Sequence, residues 1–320
     1  MGKVALVFPG QGAQYVGMAK DLYENNAVAK SVIDEASDAL NMDLKNLMFN
    51  GNEEELSKTE NTQPAMVTHS VAVLKAVQAQ IDLKYNACLG LSLGEYSALV
   101  AADAIDFKDA VCLVKKEVSL CRKQFQQVLE LWQQFMAAIL GLDRNVLENV
   151  VKDIQGGIVE VANYNSPGQI VISGENEKIE EAMVKCKEAG AKRAVKLNVS
   201  GPFHSSMLKE AGVKLASELE KVNITKPKVD VVANVNADYY KNEGKDLLIK
   251  QVSSSVLWED SIEILLNDGY DTFIEMGPGK TLKAFIKKIA SNKKANVNIY
   301  NIDGIDSLNE FVQNYRNGEI

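Results

Sequence analysis

The chain has 320 residues, with 46% apolar and 24% charged residues and a formal net charge of −8. This composition is that of a globular protein of about two domains and excludes disordered and collagen-like chains. The acidic balance provides no overall basic field, so we expect neither nucleic acid nor a membrane as a partner. No run of about 18 apolar residues is present, and the N-terminal residues lack the apolar region and cleavage site of a signal peptide. We therefore expect a cytoplasmic location.

The cysteines and histidines indicate neither a disulfide framework nor a metal centre. Cys88, Cys112, Cys121 and Cys186 lie far apart, without a C-x-x-C pair. This spacing is typical of reduced thiols rather than of a zinc ribbon. Because the chain has only two histidines, we expect no multi-histidine metal site and predict no bound metal.

Short apolar runs that end in glycine-containing turns predict buried parallel strands with helices between them. The first run, residues 4–8, ends at Pro9 and Gly10. A second run, residues 87–90, passes through a turn flanked by glycines into a helix at residues 95–100. Further elements are predicted as helices at residues 34–40, 63–79 and 247–255 and as strands at residues 229–234 and 272–275. This order predicts an α/β fold with a parallel sheet.

Residues 136–199 follow a different order, β-α-β-β-α-β, which is that of the ferredoxin-like motif. Asp143 is the predicted N-cap of its first helix, and Gly190 ends the second. The predicted strands are residues 136–142, 158–162, 169–173 and 192–197, and the second helix is residues 177–188. We therefore expect a small inserted domain of residues 135–199 and a large α/β domain of residues 1–134 and 200–320.

The run Gly-Leu-Ser-Leu-Gly at residues 90–94 fits the G-x-S-x-G nucleophile elbow. Its glycines allow a sharp turn and close packing of the following helix on the strand. Such a turn exposes the hydroxyl group of Ser92 and directs the amide of Leu93, at a helix N-terminus, toward the same space, where it would stabilise an oxyanion. A purely structural serine turn is the alternative, but the strand before and the helix after it favour a nucleophile.

A serine nucleophile needs a base, and the two histidines are the candidates. His204 lies in a turn-rich loop directly after a predicted strand, where loops hold catalytic groups on a rigid frame. His69 lies inside a helical pattern, for which a hydrogen-bonded packing role is expected. His204 is therefore the predicted base.

Two other glycine-containing loops resemble nucleotide-binding motifs incompletely. Residues 8–14 lack the third glycine of a dinucleotide fingerprint, because Tyr15 occupies that position. The alternative is a loop that supplies a second amide to an oxyanion hole. Residues 277–281 lack the upstream glycine of a P-loop, so we do not expect nucleotide binding.

Six motifs in order resemble the malonyl-CoA:acyl-carrier-protein transacylases of type II fatty-acid synthesis. They are FPGQGAQ at residues 8–14, GLSLGEY at 90–96, NYNSP at 163–167, GPFHS at 201–205, NVNA at 234–237 and EMGPG at 275–279. The resemblance covers nearly the whole chain. It implies an α/β-hydrolase-like large domain with a ferredoxin-like insert, in agreement with the pattern described above.

The resemblance also implies a ping-pong reaction on a Ser–His dyad. Ser92 would take the malonyl group from malonyl-CoA as an ester, and His204 would act as the base and then as the acid that releases the CoA thiol. The backbone amides of Gln11 and Leu93 would form the oxyanion hole, and a main-chain carbonyl at Gln251 would orient His204 without an aspartate.

The second half-reaction would pass malonyl to the phosphopantetheine thiol of acyl carrier protein and so initiate fatty-acid elongation. Malonyl-CoA and this carrier protein are then the expected partners, and acyl transfer needs no metal or redox cofactor. Because the carrier protein in this family is acidic, the net charge of −8 implies a local lysine-rich patch on this chain.

One position departs seriously from the family. The family has an arginine that clamps the free carboxylate of malonyl through a bidentate pair, and this chain has Glu117 there. A carboxylate at that position would repel malonate. The four arginines of the chain stand elsewhere, at Arg122, Arg144, Arg193 and Arg316.

Residues 117–135 as a whole do not resemble the family, and two interpretations are open. A single-base shift of the reading frame near codon 117 would restore Arg-Gly and the residues that follow in the family, although the return to frame before Met136 has no account. A divergent helix is the other interpretation, because apolar residues recur here at helical spacing; these residues are Cys121, Phe125, Val128, Trp132 and Phe135.

Three functions therefore compete. The leading one is malonyl transfer to acyl carrier protein. The second is an acyltransferase or thioesterase of altered specificity, because Glu117 replaces the carboxylate clamp. The third is a non-catalytic carrier-protein-binding protein, against which the presence of both Ser92 and His204 argues.

Overall fold

A computed structural model describes residues 2–125, 136–199, 201–241 and 244–320. The strands in these ranges are β1 (Lys3–Phe8), β2 (Ala87–Gly90), β3 (Met136–Leu140), β4 (Val159–Ser166), β5 (Gln169–Gly174), β6 (Arg193–Lys196), β7 (Asp230–Val231), β8 (Tyr270–Met276) and β9 (Asn298–Ile302). The helices are α1 (Lys20–Asn25), α2 (Ala27–Leu40), α3 (Leu44–Asn50), α4 (Glu53–Ser57), α5 (Thr59–Gln78), α6 (Gly94–Ala101), α7 (Phe107–Phe125), α8 (Arg144–Lys152), α9 (Asn176–Glu188), α10 (Lys209–Leu219), α11 (Gly244–Gln251), α12 (Trp258–Asn267), α13 (Thr281–Asn292) and α14 (Ile305–Arg316).

The larger sheet is parallel and has the strand order β7-β2-β1-β8-β9. The ends of β1 and β2 are level, because Phe8 pairs with Gly90. The loops that follow these two strands therefore leave the same edge of the sheet. In open parallel sheets this carboxyl edge is where ligands bind.

Both faces of the larger sheet are covered by helices. Leu6 and Phe8 of β1 pack into one apolar cluster, together with α5 and α6, whereas Ala5 and Val7 pack into another, together with α12 and α13. This alternation is that of a strand whose successive side chains point to opposite faces. Because both faces of β1 are buried, its sequence is a continuous apolar run and does not alternate between apolar and polar residues.

The smaller sheet is antiparallel and has the order β4-β5-β3-β6. The helices α8 and α9 pack on it, and Ile139, Leu147, Ile172 and Ile179 are buried in their common core. Its element order is the predicted β-α-β-β-α-β, so the predicted fold class is confirmed. We propose on this basis that residues 135–199 form the small domain.

Two predicted elements are shorter in the structure. The predicted strand at residues 229–234 pairs only over Asp230–Val231, because the backbone amide of Ala233 donates to Asp238 and turns the chain out of the sheet. The helix predicted at residues 247–255 ends at Gln251. Beyond that residue the amides of Ser253 and Ser254 bond three residues back, in turns.

The unusual segment from residue 117 onward is helical as far as the structure describes it. The helix α7 runs without a break to Phe125, as the divergent-helix interpretation predicts. Val128, Trp132 and Phe135 lie outside the described residues. No helix within the described ranges is both long and apolar enough to cross a membrane.

Candidate active site

Ser92 lies in the sharp turn between β2 and α6. Its φ of 53° falls in the left-handed region, as expected where a strand turns directly into a helix. A Cβ atom on Gly90 would lie 1.8 Å from the backbone carbon of Gly94, and one on Gly94 would lie 2.1 Å from the carbonyl oxygen of Phe8. Both glycines are therefore required by close backbone packing, and they place the serine at the carboxyl edge of the sheet.

The structure brings Ser92 and His204 together. Ser92 Oγ lies 2.6 Å from His204 Nε2, and His204 Nδ1 lies 2.9 Å from the carbonyl oxygen of Gln251. Because a carbonyl oxygen only accepts, Nδ1 carries the proton and Nε2 is free to accept from the serine hydroxyl. The backbone carbonyl of Gln251 thus takes the place that a carboxylate has in a Ser-His-Asp triad.

The loop that carries His204 is held on both sides. The backbone amide of His204 donates to the carbonyl oxygen of Val252 over 3.2 Å. The backbone amide of Ser206 donates to the side chain of Glu160, on β4, over 2.6 Å. Two bonds from different parts of the chain therefore set the position of the ring.

Burial lowers the pKa of His204, and the hydrogen bonds to the carbonyls of Gln251 and Ser254 act in the opposite direction. Desolvation penalises the charged imidazolium, so the neutral ring dominates at neutral pH. A neutral ring in contact with a hydroxyl group is what general-base catalysis requires.

The amides of Gln11 and Leu93 border the same cavity as Ser92 and His204. This cavity has a volume of about 220 Å³. Gln11 follows β1 and Leu93 precedes α6, so they approach from the two level strand ends. Among the described residues, neither backbone N–H has a hydrogen-bond partner. Both donors are therefore available to a developing oxyanion.

Glu95 and three partners lie beneath the dyad, and of these four residues only Gln251 has a role predicted from the sequence. The buried carboxylate of Glu95 accepts hydrogen bonds from the Gln251 side chain, the Asn234 backbone and the Tyr240 hydroxyl group. Glu95 lies in the GLSLGEY motif and Asn234 in the NVNA motif, so these motifs marked both positions without indicating what they do. Tyr240 lies outside those motifs.

Glu117 also borders the cavity. Its side chain is on α7, the residue is 8% exposed, and Tyr96 donates a hydrogen bond of 2.6 Å to Oε2. Burial raises the pKa of Glu117 to about 7, the bond from Tyr96 opposes this, and the charge of Glu95 adds to it. Within the described part of the chain, no cation lies within salt-bridge distance of this carboxyl group.

The remaining candidates have structural roles. His69 is buried in α5, and its Nε2 lies 2.6 Å from the carbonyl oxygen of Asp303, as a packing role predicts. In the loop at residues 277–281, the amide of Gly279 already donates to the Asp303 carboxylate. All four cysteines are free. The described residues contain no cluster of three or more potential metal ligands.

Comparison with known proteins places the chain among acyltransferases. A family model described as an acyl transferase domain matches residues 5–311. A malonyl CoA-acyl carrier protein transacylase of Bacillus subtilis is 46% identical over 295 residues, which cover 90% of this chain and 91% of the relative. The transacylase of Staphylococcus aureus strain MRSA252 is 43% identical over 314 residues, which cover 97% and 99% of the two chains.

Solved structures agree with this result. The malonyl CoA-acyl carrier protein transacylase of Clostridium perfringens superposes with a TM-score of 0.90 at 42% identity, covering 99% of this chain and 98% of that one. A malonyl-transacylase in complex with its type II acyl-carrier protein superposes with a TM-score of 0.91 at 38% identity, covering 98% and 99%. The resemblance recognised from the six motifs is thereby confirmed, and the chain belongs to the acyl transferase domain family.

Proposed function

We propose that this acyltransferase moves a malonyl group from malonyl-CoA to the phosphopantetheine thiol of acyl carrier protein. The observation that carries the proposal is the 2.6 Å contact between Ser92 Oγ and His204 Nε2, beside two backbone amides that have no hydrogen-bond partner among the described residues. This is the arrangement that acyl transfer through a serine ester requires. Relatives that match nearly the whole chain carry the transacylase name.

In the first half-reaction, His204 Nε2 takes the proton of Ser92 as Oγ attacks the thioester carbonyl carbon. The amides of Gln11 and Leu93 donate to the oxyanion of the tetrahedral intermediate. The carbon–sulfur bond then breaks, His204 returns the proton to the CoA sulfur, and Ser92 is left as its malonyl ester. The Gln251 carbonyl keeps the Nδ1 proton in place throughout, so the imidazolium is stabilised without a carboxylate.

The second half-reaction runs the same steps with the phosphopantetheine thiol as the nucleophile. The thiol gives its proton to His204 and attacks the ester carbonyl carbon, and Oγ of Ser92 leaves and recovers the proton. Thioester and ester exchange without oxidation or reduction. We infer that the chain needs no bound cofactor besides its two substrates. The cytoplasmic location stays a prediction.

The alternatives from the sequence, an altered acyl specificity or a non-catalytic carrier-protein-binding role, are not favoured by the named relatives. Glu117 borders the cavity, so we expect the preference for malonyl over other acyl groups to depend on the charge of its carboxyl group.

The test is transfer of radioactive malonyl from malonyl-CoA to the protein and then to acyl carrier protein that carries phosphopantetheine. We expect label on Ser92, located by mass spectrometry of peptides, and its loss when the carrier protein is added. The Ser92→Ala variant is the matched control and should take up no label. A wild-type chain that takes up no malonyl, or that keeps it in the presence of carrier protein, contradicts the proposal.

A further inference from the structure

The carboxylate of Glu95 lies in the interior, directly behind the dyad. The residue is 1% exposed. Its Oε2 accepts from Gln251 Nε2 over 2.7 Å and from the backbone amide of Asn234 over 3.1 Å, and its Oε1 accepts from the hydroxyl group of Tyr240. A buried carboxylate whose hydrogen-bond partners are three neutral donors is costly, because no opposite charge offsets the loss of its hydration.

The partners of Glu95 are the groups that hold the nucleophile and the base. Gln251 binds His204 Nδ1 through its backbone carbonyl and donates from its side chain to the carbonyl oxygen of Ser92 over 3.2 Å. Asn234 accepts from the backbone amide of Ser92 over 2.6 Å. The carboxylate of Glu95 therefore joins Asn234 and Gln251, which lie 139 and 156 residues further along the chain and which both contact the dyad.

We propose that Glu95 is a positioning residue whose carboxylate form holds Gln251 and Asn234, and through them His204 and Ser92, in the geometry of acyl transfer. The proposal rests on the proposed function for the reaction itself. Glu95 does not touch the reacting atoms, so its contribution is made through the two residues that it binds.

The hydrogen-bond donors around Glu95 explain why its ionised form, and not its protonated form, holds these residues in place. The three groups that contact Glu95 all donate to it, and the Gln251 and Asn234 N–H groups cannot accept. The Tyr240 hydroxyl group could accept an added carboxyl proton only by giving up its own donation, so protonation displaces one bond. Burial raises the pKa of Glu95 to about 7, and the bonds from Tyr240, Gln251 and Asn234 act against this rise. Protonation below about pH 7 should therefore loosen the dyad.

Other titratable groups surround Glu95. On α6 itself, Tyr96 is held neutral by burial, and Glu117 faces it from α7. Of the remaining elements packed against α6, β1 carries Lys3, which is exposed at the start of the strand. The strand β2 carries Cys88, whose pKa is raised by burial, and α5 carries His69, which is hydrogen-bonded to Asp303. Glu95 accepts three hydrogen bonds and Glu117 accepts one from Tyr96, and the charge of Glu95 raises the pKa of Glu117, so Glu95 loses its proton before Glu117 does.

The first experiment uses the fact that the chain has only two histidines. In protein labelled with ¹⁵N-histidine, ring-nitrogen NMR signals report the tautomer and hydrogen bonding of His204, and His69 is an internal control in the same spectrum. In the Glu95→Ala variant we expect the His204 Nδ1 signal to move while that of His69 stays. We also expect kcat for malonyl transfer to fall by about tenfold or more, with KM for malonyl-CoA changed less than about threefold.

The second experiment measures the rate of malonyl transfer as a function of pH. The acid limb of this profile, where the rate falls as pH decreases, should move in opposite directions in two variants. Glu95→Gln removes the titrating proton, so the limb should move to lower pH. Its amide group also places N–H donors against groups that donate to the carboxylate, so its plateau rate should fall below that of wild type. One pH unit below the wild-type midpoint, wild type retains about a tenth of its plateau rate, and Glu95→Gln should retain more than about half of its own, lower plateau rate. Tyr240→Phe removes a donor, raises the pKa of Glu95 and should move the limb to higher pH.

Glu275→Gln is the matched control. Glu275 is also fully buried with a pKa raised by burial to about 7, but it accepts from the backbone amides of Leu282 and Lys283. We expect this variant to keep the wild-type acid limb.

Two results overturn the proposal: a wild-type acid limb in both Glu95→Gln and Tyr240→Phe, or an unchanged His204 signal and kcat in Glu95→Ala. If Glu95→Ala does not fold, the opposite shifts of the other two variants decide. A wild-type chain inactive with malonyl-CoA refutes the proposed function, and the His204 spectra of Glu95→Gln and Tyr240→Phe then decide the positioning role.

Discussion

Tyr96 donates a hydrogen bond of 2.6 Å to the carboxyl group of Glu117, and both residues border the cavity that contains the Ser92 hydroxyl group. The acyl group of a substrate ester on Ser92 must therefore lie close to a buried carboxyl group. The pKa of Glu117 is raised to about 7, so the group is neutral in acid and charged above neutral pH. The charge of the Glu117 carboxyl group therefore changes within the pH range of ordinary assays.

The ratio of malonyl to acetyl loading should fall as pH rises from 6 to 8, because ionised Glu117 repels the malonyl carboxylate and leaves the acetyl group unaffected. We expect a decrease of about tenfold, equivalent to ~1.4 kcal/mol. His204 acts on both acyl groups alike, so the ratio, measured with the two labelled CoA esters, isolates the acyl pocket.

Substitution of Glu117 should remove this pH dependence. Glu117→Gln is expected to give a flat ratio, and Glu117→Arg should raise malonyl loading at pH 8 by about tenfold or more, because a guanidinium group pairs with a carboxylate. Glu210→Gln makes the same charge change on the exposed side of α10, which packs against α7, and should behave like wild type. A ratio that is flat in wild type shows that Glu117 does not sense the acyl carboxylate.

The coding DNA across codons 110–140 tests the origin of Glu117. We expect a single-base shift near codon 117 that restores Arg-Gly, which would account for the loss of family resemblance in residues 117–135. DNA in which no such shift restores these two residues leaves the divergent helix, of which α7 describes the part up to Phe125.

The turn at Ser92 should tolerate no side chain at Gly94. An alanine Cβ there would lie 2.1 Å from the backbone carbonyl oxygen of Phe8, which cannot move without disturbing the β1 strand. We expect Gly94→Ala to lower the free energy of unfolding by ~1–3 kcal/mol, measured in urea. Gly201→Ala is the control, because its Cβ would meet only the ring of Phe203 at 3.9 Å. Equal stabilities of the two variants would contradict the close packing.

Ser92 and His204 were predictable from the sequence because their signals are local. A sharp turn between a strand and a helix needs glycines at fixed spacing, and with two histidines in the chain the choice of base was narrow. The amide of Leu93, which we propose for the oxyanion hole, follows from the same turn. Gln251 came only from the family resemblance, since the bond from its backbone carbonyl to His204 has no side-chain signature.

Glu95 and Tyr240 could not be assigned in this way. Their contact joins positions 145 residues apart, and no periodicity of charge or hydropathy encodes such a contact. The strand predicted at residues 229–234 was too long for a related reason. Its apolar run continues beyond the two paired residues of β7, because Val232 and Ala233 are buried without being part of the strand.

Removal of the His204 ring should affect rate more than stability. His204→Ala loses the proton acceptor of Ser92, and general-base catalysis contributes about 10²- to 10⁴-fold, so we expect malonylation of Ser92 to slow by that factor. His69→Ala is the matched comparison, since this buried ring packs against Asp303 and should cost stability rather than rate in protein that remains folded. The measurement is single-turnover loading together with thermal unfolding. A faster loading rate in His204→Ala than in folded His69→Ala would reverse the assignment of the base.

The stability of the protein should fall as pH rises between about 4.5 and 7, and Glu275 should contribute to this slope. Burial raises the pKa of Glu275 from 4.5 to about 7, so the folded state retains the proton in a range where the unfolded chain has lost it. Stability from this group is therefore full below the unfolded pKa and lost as pH rises through the folded one, by up to ~3 kcal/mol. Glu275→Gln removes the titration, so its free energy of unfolding, measured in urea at pH 5 and pH 8, should rise relative to wild type at the higher pH. A difference between the two proteins that is the same at both pH values would show that Glu275 ionises at its ordinary pKa.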